Sequence, residues 1–160
     1  MIATRMAADE RFAIEDLYAA YVAALDERRF AEWPEFFTEE CRYTLMPREN
    51  FERGLPLATL SFESRGMLRD RVYGITQTLF HEPYYQRHLI TNLLVRPADD
   101  SYAVEANYLV LRTKAGALTE ILSTGRCRDR IVRTGEGLRF AEKLVIFDSE
   151  LIPNSIIYPL

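Results

Sequence analysis

Between residues 9 and 29 the apolar positions Ile14, Leu17, Tyr18, Tyr21, Val22 and Leu25 recur at intervals of three and four. That spacing gathers them on one side of an amphipathic helix. Residues 30–37, FAEWPEFF, predict a short second helix: Pro34 is tolerated near a first turn, and Trp33, Phe36 and Phe37 form an aromatic anchor that needs a cover. CRYTLMP, residues 41–47, reads as a short strand, and RENFERGLP as a polar connection able to leave the body of the fold. Over residues 64–79, Met67, Leu68, Val72, Ile75 and Leu79 return to roughly helical spacing, with Gly66 and Gly74 weakening the interior. From Arg87 onward the period becomes two. RHLITNLLVRP, SYAVEANYLVLRTK, ALTEILSTGRCRDRIVRT and LRFAEKLVIFDSEL are long strands, and the turns at 98–100, 115–116 and 135–137 are short enough for hairpins. Helices followed by an antiparallel meander predict an α+β fold, with the N-terminal helices packed on one face of a strongly curved, mainly antiparallel sheet. Both alternations of residues 102–113 contain apolar side chains, so the second face of the sheet is also expected to be covered, by further helices or by another subunit.

A chain of 160 residues with 48% hydrophobic and 28% charged side chains fits one packed domain, residues 1–160, with a flexible start expected over 1–10. The net charge of -4 leaves no field to gather a polyanion, which argues against nucleic acid as a partner. MIATRMAADERF has no apolar h-region, and no run approaches the roughly 18 apolar residues of a membrane span, so a cytoplasmic protein is expected. In that compartment Cys41 and Cys127 are expected to be reduced and unpaired.

Both histidines, His81 and His88, lie in FHEPYYQRHLITN. No His pair at i, i+4 and no Cys-x-His pair accompanies them, so the spacing predicts no metal site. His88 as a hydrogen-bonded structural residue competes with His88 as an acid-base group, paired with Asp16, Asp26 or Asp129 inside the fold. There is no G-x-S-x-G elbow and no Gly-rich phosphate loop. Arg126, Arg128 and Arg130 fall on one side of a strand, with Arg133 nearby, and can act as guanidinium forks for a partner's carboxylates.

LYAAYVAALDERRFAEWPEFFTEECRYTL, ESRGMLRDRVYG, YYQRHLITN and FDSELIPNSIIYPL, in that order, resemble the small (β) subunit of Rieske non-haem iron aromatic-ring-hydroxylating oxygenases. The likeness runs from about Phe12 to the last residue; its first segment is common to cone-shaped nuclear-transport-factor-2-like proteins, and Arg87, His88, Asn92 and NSIIYPL narrow it. The resemblance implies a cone-shaped domain with a role in assembly. Three small subunits would support three large ones, and the large subunit would hold the Rieske [2Fe-2S] cluster and the mononuclear iron. Electrons would come from NAD(P)H through a reductase, with or without a ferredoxin. RENFERGLPLATLSFESRGMLRDRVYG and TQTLFHEPYYQRHL look most like subunits acting on aromatic acids, salicylate hydroxylases in particular, with polycyclic-arene enzymes as neighbours. No residue of this chain is then expected to be catalytic. Arg87, His88 and Asn92 are expected in buried hydrogen bonds or a subunit contact. Arg126, Arg128, Arg130, Ile156, Ile157, Tyr158 and Leu160 are the interface candidates, with residues 151–160 docked on the partner because SIIYPL is too apolar to be left in water. The alternative is a free-standing isomerase or dehydratase of the same fold using His88 and Asp26.

Overall fold

The computed structural model describes residues 6–152 and 155–160. Helix α1 spans Ala8–Asp26, so the start expected to be flexible is helical from Ala8, and its first five residues lie outside the described ones. A 3-10 helix follows at Phe30–Phe36 with Pro34 inside it, where a tight turn tolerates the missing N–H better than an α-helix interior does. Then come β1 (Phe37–Pro47), α2 (Arg48–Glu52), β2 (Leu60–Phe62) and α3 (Arg65–Tyr73). The Ser64 hydroxyl caps α3 by accepting from the Met67 N–H at 3.2 Å, and Gly74 opens a π-helical turn, Gly74–Thr78, that ends the predicted helix early. The long strands are β3 (Tyr84–Ala98), β4 (Ser101–Lys114), β5 (Glu120–Thr134) and β6 (Gly137–Phe147).

These strands form one mixed sheet in the order β2-β1-β6-β5-β4-β3. The meander β3 to β6 is antiparallel throughout, and β1 joins it by pairing parallel to β6. Asp99 and Asp100 alone connect β3 to β4, and Asp99 takes a φ of 49°, a left-handed value that Asp tolerates. β5 and β6 approach so closely that a Cβ on Gly125 would lie 2.0 Å from the Ile146 carbonyl oxygen, which reserves the position for glycine.

The core lies between the inner face of the sheet and α1 with the 3-10 helix. Trp33 is fully enclosed, with edge-to-face contacts to Phe37, Tyr43 and Phe62. This supplies the cover that the FAEWPEFF aromatics need. RENFERGLP stays on the body of the fold instead of leaving it, because α2 sets Phe51 against the sheet beneath Arg126 and Arg128.

A β-bulge in β6 decides what enters the interior. Ile131 pairs with Phe140 but Arg130 pairs with Glu142, so Ala141 is an extra residue that shifts the alternation. Glu142 consequently faces solvent, and Lys143 turns inward opposite Asp129.

Candidate functional site

Three polar arrangements stand out. At the sheet edge, α1 brings Asp26 to β3: its Oδ1 accepts from His88 Nδ1 at 2.6 Å, and its carboxylate also accepts the His88 backbone N–H at 3.1 Å. An edge strand leaves such backbone donors free, so Asp26 occupies one of them. His88 Nε2 is buried and has no partner among the described residues. Beside this pair, α1 and β3 enclose a groove of about 510 Å3 lined by Glu15, Tyr18, Val22, His88, Ile90 and Leu93. Of the carboxylates considered from sequence, Asp26 meets His88, Asp16 is exposed on α1, and Asp129 lies elsewhere in the interior. Arg87 is exposed, 3.9 Å from Asp26, and Asn92 is exposed at a bulge in β3 with a φ of 56°. His88 enters a buried hydrogen bond, whereas the exposed Arg87 and Asn92 do not, which leaves a subunit contact as the expectation for those two.

The second arrangement is internal. Lys143 Nζ donates to Asp129 Oδ2 at 2.8 Å, and the Tyr18 hydroxyl donates to the same oxygen. The rings of Tyr18, Tyr21 and Phe140 surround the ammonium with centroids at 4.7–5.0 Å, within cation-π range. Burial, the largest influence, lowers the Lys143 pKa, but Asp129 with Cys127 and Tyr43 together more than offset it and the value is raised, which holds the lysine charged. Burial foremost also drives the Tyr18 and Tyr21 hydroxyls well above the ordinary phenol range. A lysine held charged and two phenols held neutral make poor bases, and this cluster is better suited to structure than to proton transfer. Lys143 was not singled out from the sequence, since strict alternation in LRFAEKLVIF gives no sign of the bulge.

The third arrangement is residues 155–160. The Leu160 carbonyl accepts from Tyr21 at 2.9 Å and Tyr43 at 3.2 Å, and Arg71 donates to the carbonyls of Ile156 and Ile157 at 2.9 and 2.8 Å. The Tyr158 ring packs between Phe30 and Tyr84, with His81 Nε2 2.8 Å from its hydroxyl. Ile156, Tyr158 and Leu160 are therefore buried in the chain's own core, and Ile157 is half-buried. The expectation that residues 151–160 dock on a partner is corrected for 155–160, because the core's own tyrosines supply the partners; Pro153 and Asn154 lie outside the described residues.

Iron chemistry finds no fitting donor set. Burial pushes the Cys41 thiol up to about 11 and the Cys127 thiol up to about 12, which disfavours the thiolates a cluster requires. Among the described residues no three His, Cys, Asp or Glu side chains converge as ligands. Arg126 and Arg128 stack on Phe51 with guanidinium carbons 5.4 and 5.1 Å from its centroid, whereas Arg130 is engaged by Glu142 at 3.0 Å. Among the described residues, no helix is long and apolar enough to cross a membrane.

Comparison with known proteins agrees with this architecture. Residues 6–143 match the SnoaL-like domain. The chain is 34% identical over 150 residues to the anthranilate 1,2-dioxygenase small subunit of Burkholderia cepacia, covering 93% of each chain. It is 27% identical over 143 residues to subunit beta 2 of the terminal oxygenase component of terephthalate 1,2-dioxygenase from a Comamonas species, covering 89% of this chain and 93% of that one. Among solved structures, the beta subunit of a protein assigned as an aromatic-ring-hydroxylating dioxygenase from Novosphingobium aromaticivorans DSM 12444 superposes with a TM-score of 0.82 at 33% identity, covering 91% and 93% of the two chains. With its cone-like α+β fold and this likeness along nearly its whole length, the chain belongs to the SnoaL-like domain family and, within it, to the small (β) subunits of aromatic-ring-hydroxylating dioxygenases.

Proposed function

We propose that this chain is the non-catalytic small subunit of the terminal oxygenase of a multicomponent hydroxylase for aromatic acids, and that it supports assembly of an iron-bearing large subunit. The observation that carries this reading is the filling of the fold's interior by residues 155–160, whose backbone is held by Tyr21, Tyr43 and Arg71. The segment occupies interior volume with the chain's own side chains, which supports a role in structure over one in turnover. The relatives named for anthranilate and terephthalate support an aromatic carboxylic acid as the substrate class, with salicylate the specific proposal. The Rieske cluster, the mononuclear iron and the choice of ring belong in this proposal to the large subunit, in a three-plus-three hexamer. A cytoplasmic reductase, with or without a ferredoxin, would deliver electrons from NAD(P)H.

A second reading rests on the Asp26–His88 pair. The Asp26 carboxylate accepts from Nδ1, so a neutral His88 ring would carry its lone pair on Nε2, the form that a general base uses. Bracing of the β3 edge accounts for the same geometry without chemistry. Native mass spectrometry with iron analysis separates the two, on the affinity-tagged chain purified gently from its own host. The expected result is copurification with a larger, iron-containing chain in a defined ratio. Recovery alone, with turnover that His88→Ala abolishes while the melting curve is kept, would overturn the subunit reading.

A further inference from the structure

The face of the sheet turned away from α1 carries an apolar strip fixed by strand register. Leu89 of β3 lies opposite Leu109 of β4, and Leu111 lies between Arg87 on one side and Ile121 on the other. Leu89, on the edge strand β3, is 42% exposed and Ile121, near the start of β5, is 65% exposed, so branched aliphatic side chains stand open on this face. The strip continues directly into arginines, since Arg126 lies opposite Asn107, and Arg128 opposite Glu105.

The charge on this face is one-sided. Glu105 turns to Arg96 at 3.0 Å rather than to Arg128, and Glu142 pairs with Arg130 at 3.0 Å, while Glu120 is held by Arg112, whose side chain lies on the opposite face against Tyr84. Asp129, the remaining carboxylate of β3 to β5, is buried against Lys143. Arg126 and Arg128 have no carboxylate partner among the described residues. The Phe51 ring lies against both guanidinium groups, which lowers the ordering cost of binding an anion. Two copies of this face set against one another would meet those arginines with Glu105 and Glu142, the carboxylates of β3 to β6 on this face, which Arg96 and Arg130 already engage. The complementary occupant is a different surface, apolar at its centre and acidic at its border.

We propose that the strip of Leu89, Leu109, Leu111 and Ile121, with Arg126 and Arg128 at its border, docks an acidic, apolar-centred patch of the large oxygenase subunit. This rests on the subunit role proposed above and adds the surface and the charge of its partner. The apolar strip would supply contact area and the arginines orientation, as in interfaces where a dry centre is rimmed by charge.

The test measures binding of the separately purified small subunit to the large subunit from the same host, across a salt series. The variants are R126E/R128E, R126K/R128K and Leu89→Asp, each first shown to melt like the unaltered chain. R126E/R128E and Leu89→Asp are expected to bind about tenfold more weakly or worse. R126E/R128E should also flatten the salt dependence, and R126K/R128K should fall between, because lysine keeps the charge and loses the fork. Unaltered binding by the folded variants would overturn the proposal. So would a homo-oligomer of the small subunit that R126E/R128E dissociates while large-subunit binding is kept, since the occupant would then be a second copy. Failure of the unaltered chain to bind the large subunit would remove the subunit role itself, and this surface's partner with it.

Discussion

Lys143→Met is expected to lower the unfolding free energy by about 3–5 kcal/mol, because it strips the cation from a carboxylate that the fold has already removed from water. The Asp129 side chain has 0% exposure and its Oδ1 has no hydrogen-bond partner among the described residues, so after the substitution the Tyr18 hydroxyl alone among them would remain to hold the charge. A loss of that size is a large share of the roughly 5–15 kcal/mol that keeps a typical domain folded. The double variant Asp129→Asn with Lys143→Met should recover much of it, since the desolvated charge goes with its partner. Urea unfolding of the single and double variants measures both, and a K143M midpoint within error of the unaltered protein would refute the argument. The pH dependence has a defined sign. The folded Lys143 pKa is raised above its ordinary value, so the pair's contribution is complete below the ordinary lysine range and is lost as pH rises through the raised value. Neutral and mildly acidic solutions should leave it intact, and strongly alkaline ones should weaken it.

Removing residues 156–160 should have a comparable effect, on the chain itself before any partner. Ile156, Tyr158 and Leu160 are only 3–6% exposed, and burial of each contributes about 1.5–3 kcal/mol. Ordering the segment costs about 1–2 kcal/mol per residue, which offsets much of that gain. The truncation also strands hydrogen-bonding groups: Tyr21 and Tyr43 lose the Leu160 carbonyl, and Arg71 loses two carbonyls, at about 1–3 kcal/mol for each group left buried without a partner. A net destabilisation of about 3–5 kcal/mol is expected, read as a lower melting temperature and faster hydrogen exchange in α1 and β1. An unchanged melting curve would mean that the segment lies on the core without supporting it. Truncation is accordingly a poor probe of subunit docking, and surface substitutions on the sheet are cleaner.

Much of this architecture was legible in the residue pattern. The three-and-four spacing of Ile14, Leu17, Tyr18, Tyr21 and Leu25 matches the buried face of α1, and the period-two stretches match β3 to β6. The pairing of β1 with β6 was not legible, because a short apolar strand carries no mark of a neighbour about a hundred residues later. The same limit hid the destination of NSIIYPL: its apolarity showed that it must be covered, and only the fold places Tyr21, Tyr43 and Arg71 where they cover it. His88 was visible as a candidate, but its choice of Asp26 over Asp16 or Asp129 follows from how α1 crosses the sheet edge. Arg126, Arg128 and Arg130 share a face as the alternation predicts, while Phe51, which separates two of them from the third, comes from a loop that read as merely polar.

The extra residue in β6 gives that strand two reading frames. Before Ala141 the even positions Leu138 and Phe140 point inward; after it, the odd positions Lys143, Val145 and Phe147 do. Had a single parity run on through Ala141, the Glu142 carboxylate would face Asp129 and the aromatic rings and Lys143 would stand outside beside Arg130; the bulge instead keeps Glu142 outside and Lys143 inside. One unpaired residue in the strand thus decides the sign of the charge inside the protein. The placement of these charges is encoded by strand register as much as by residue identity.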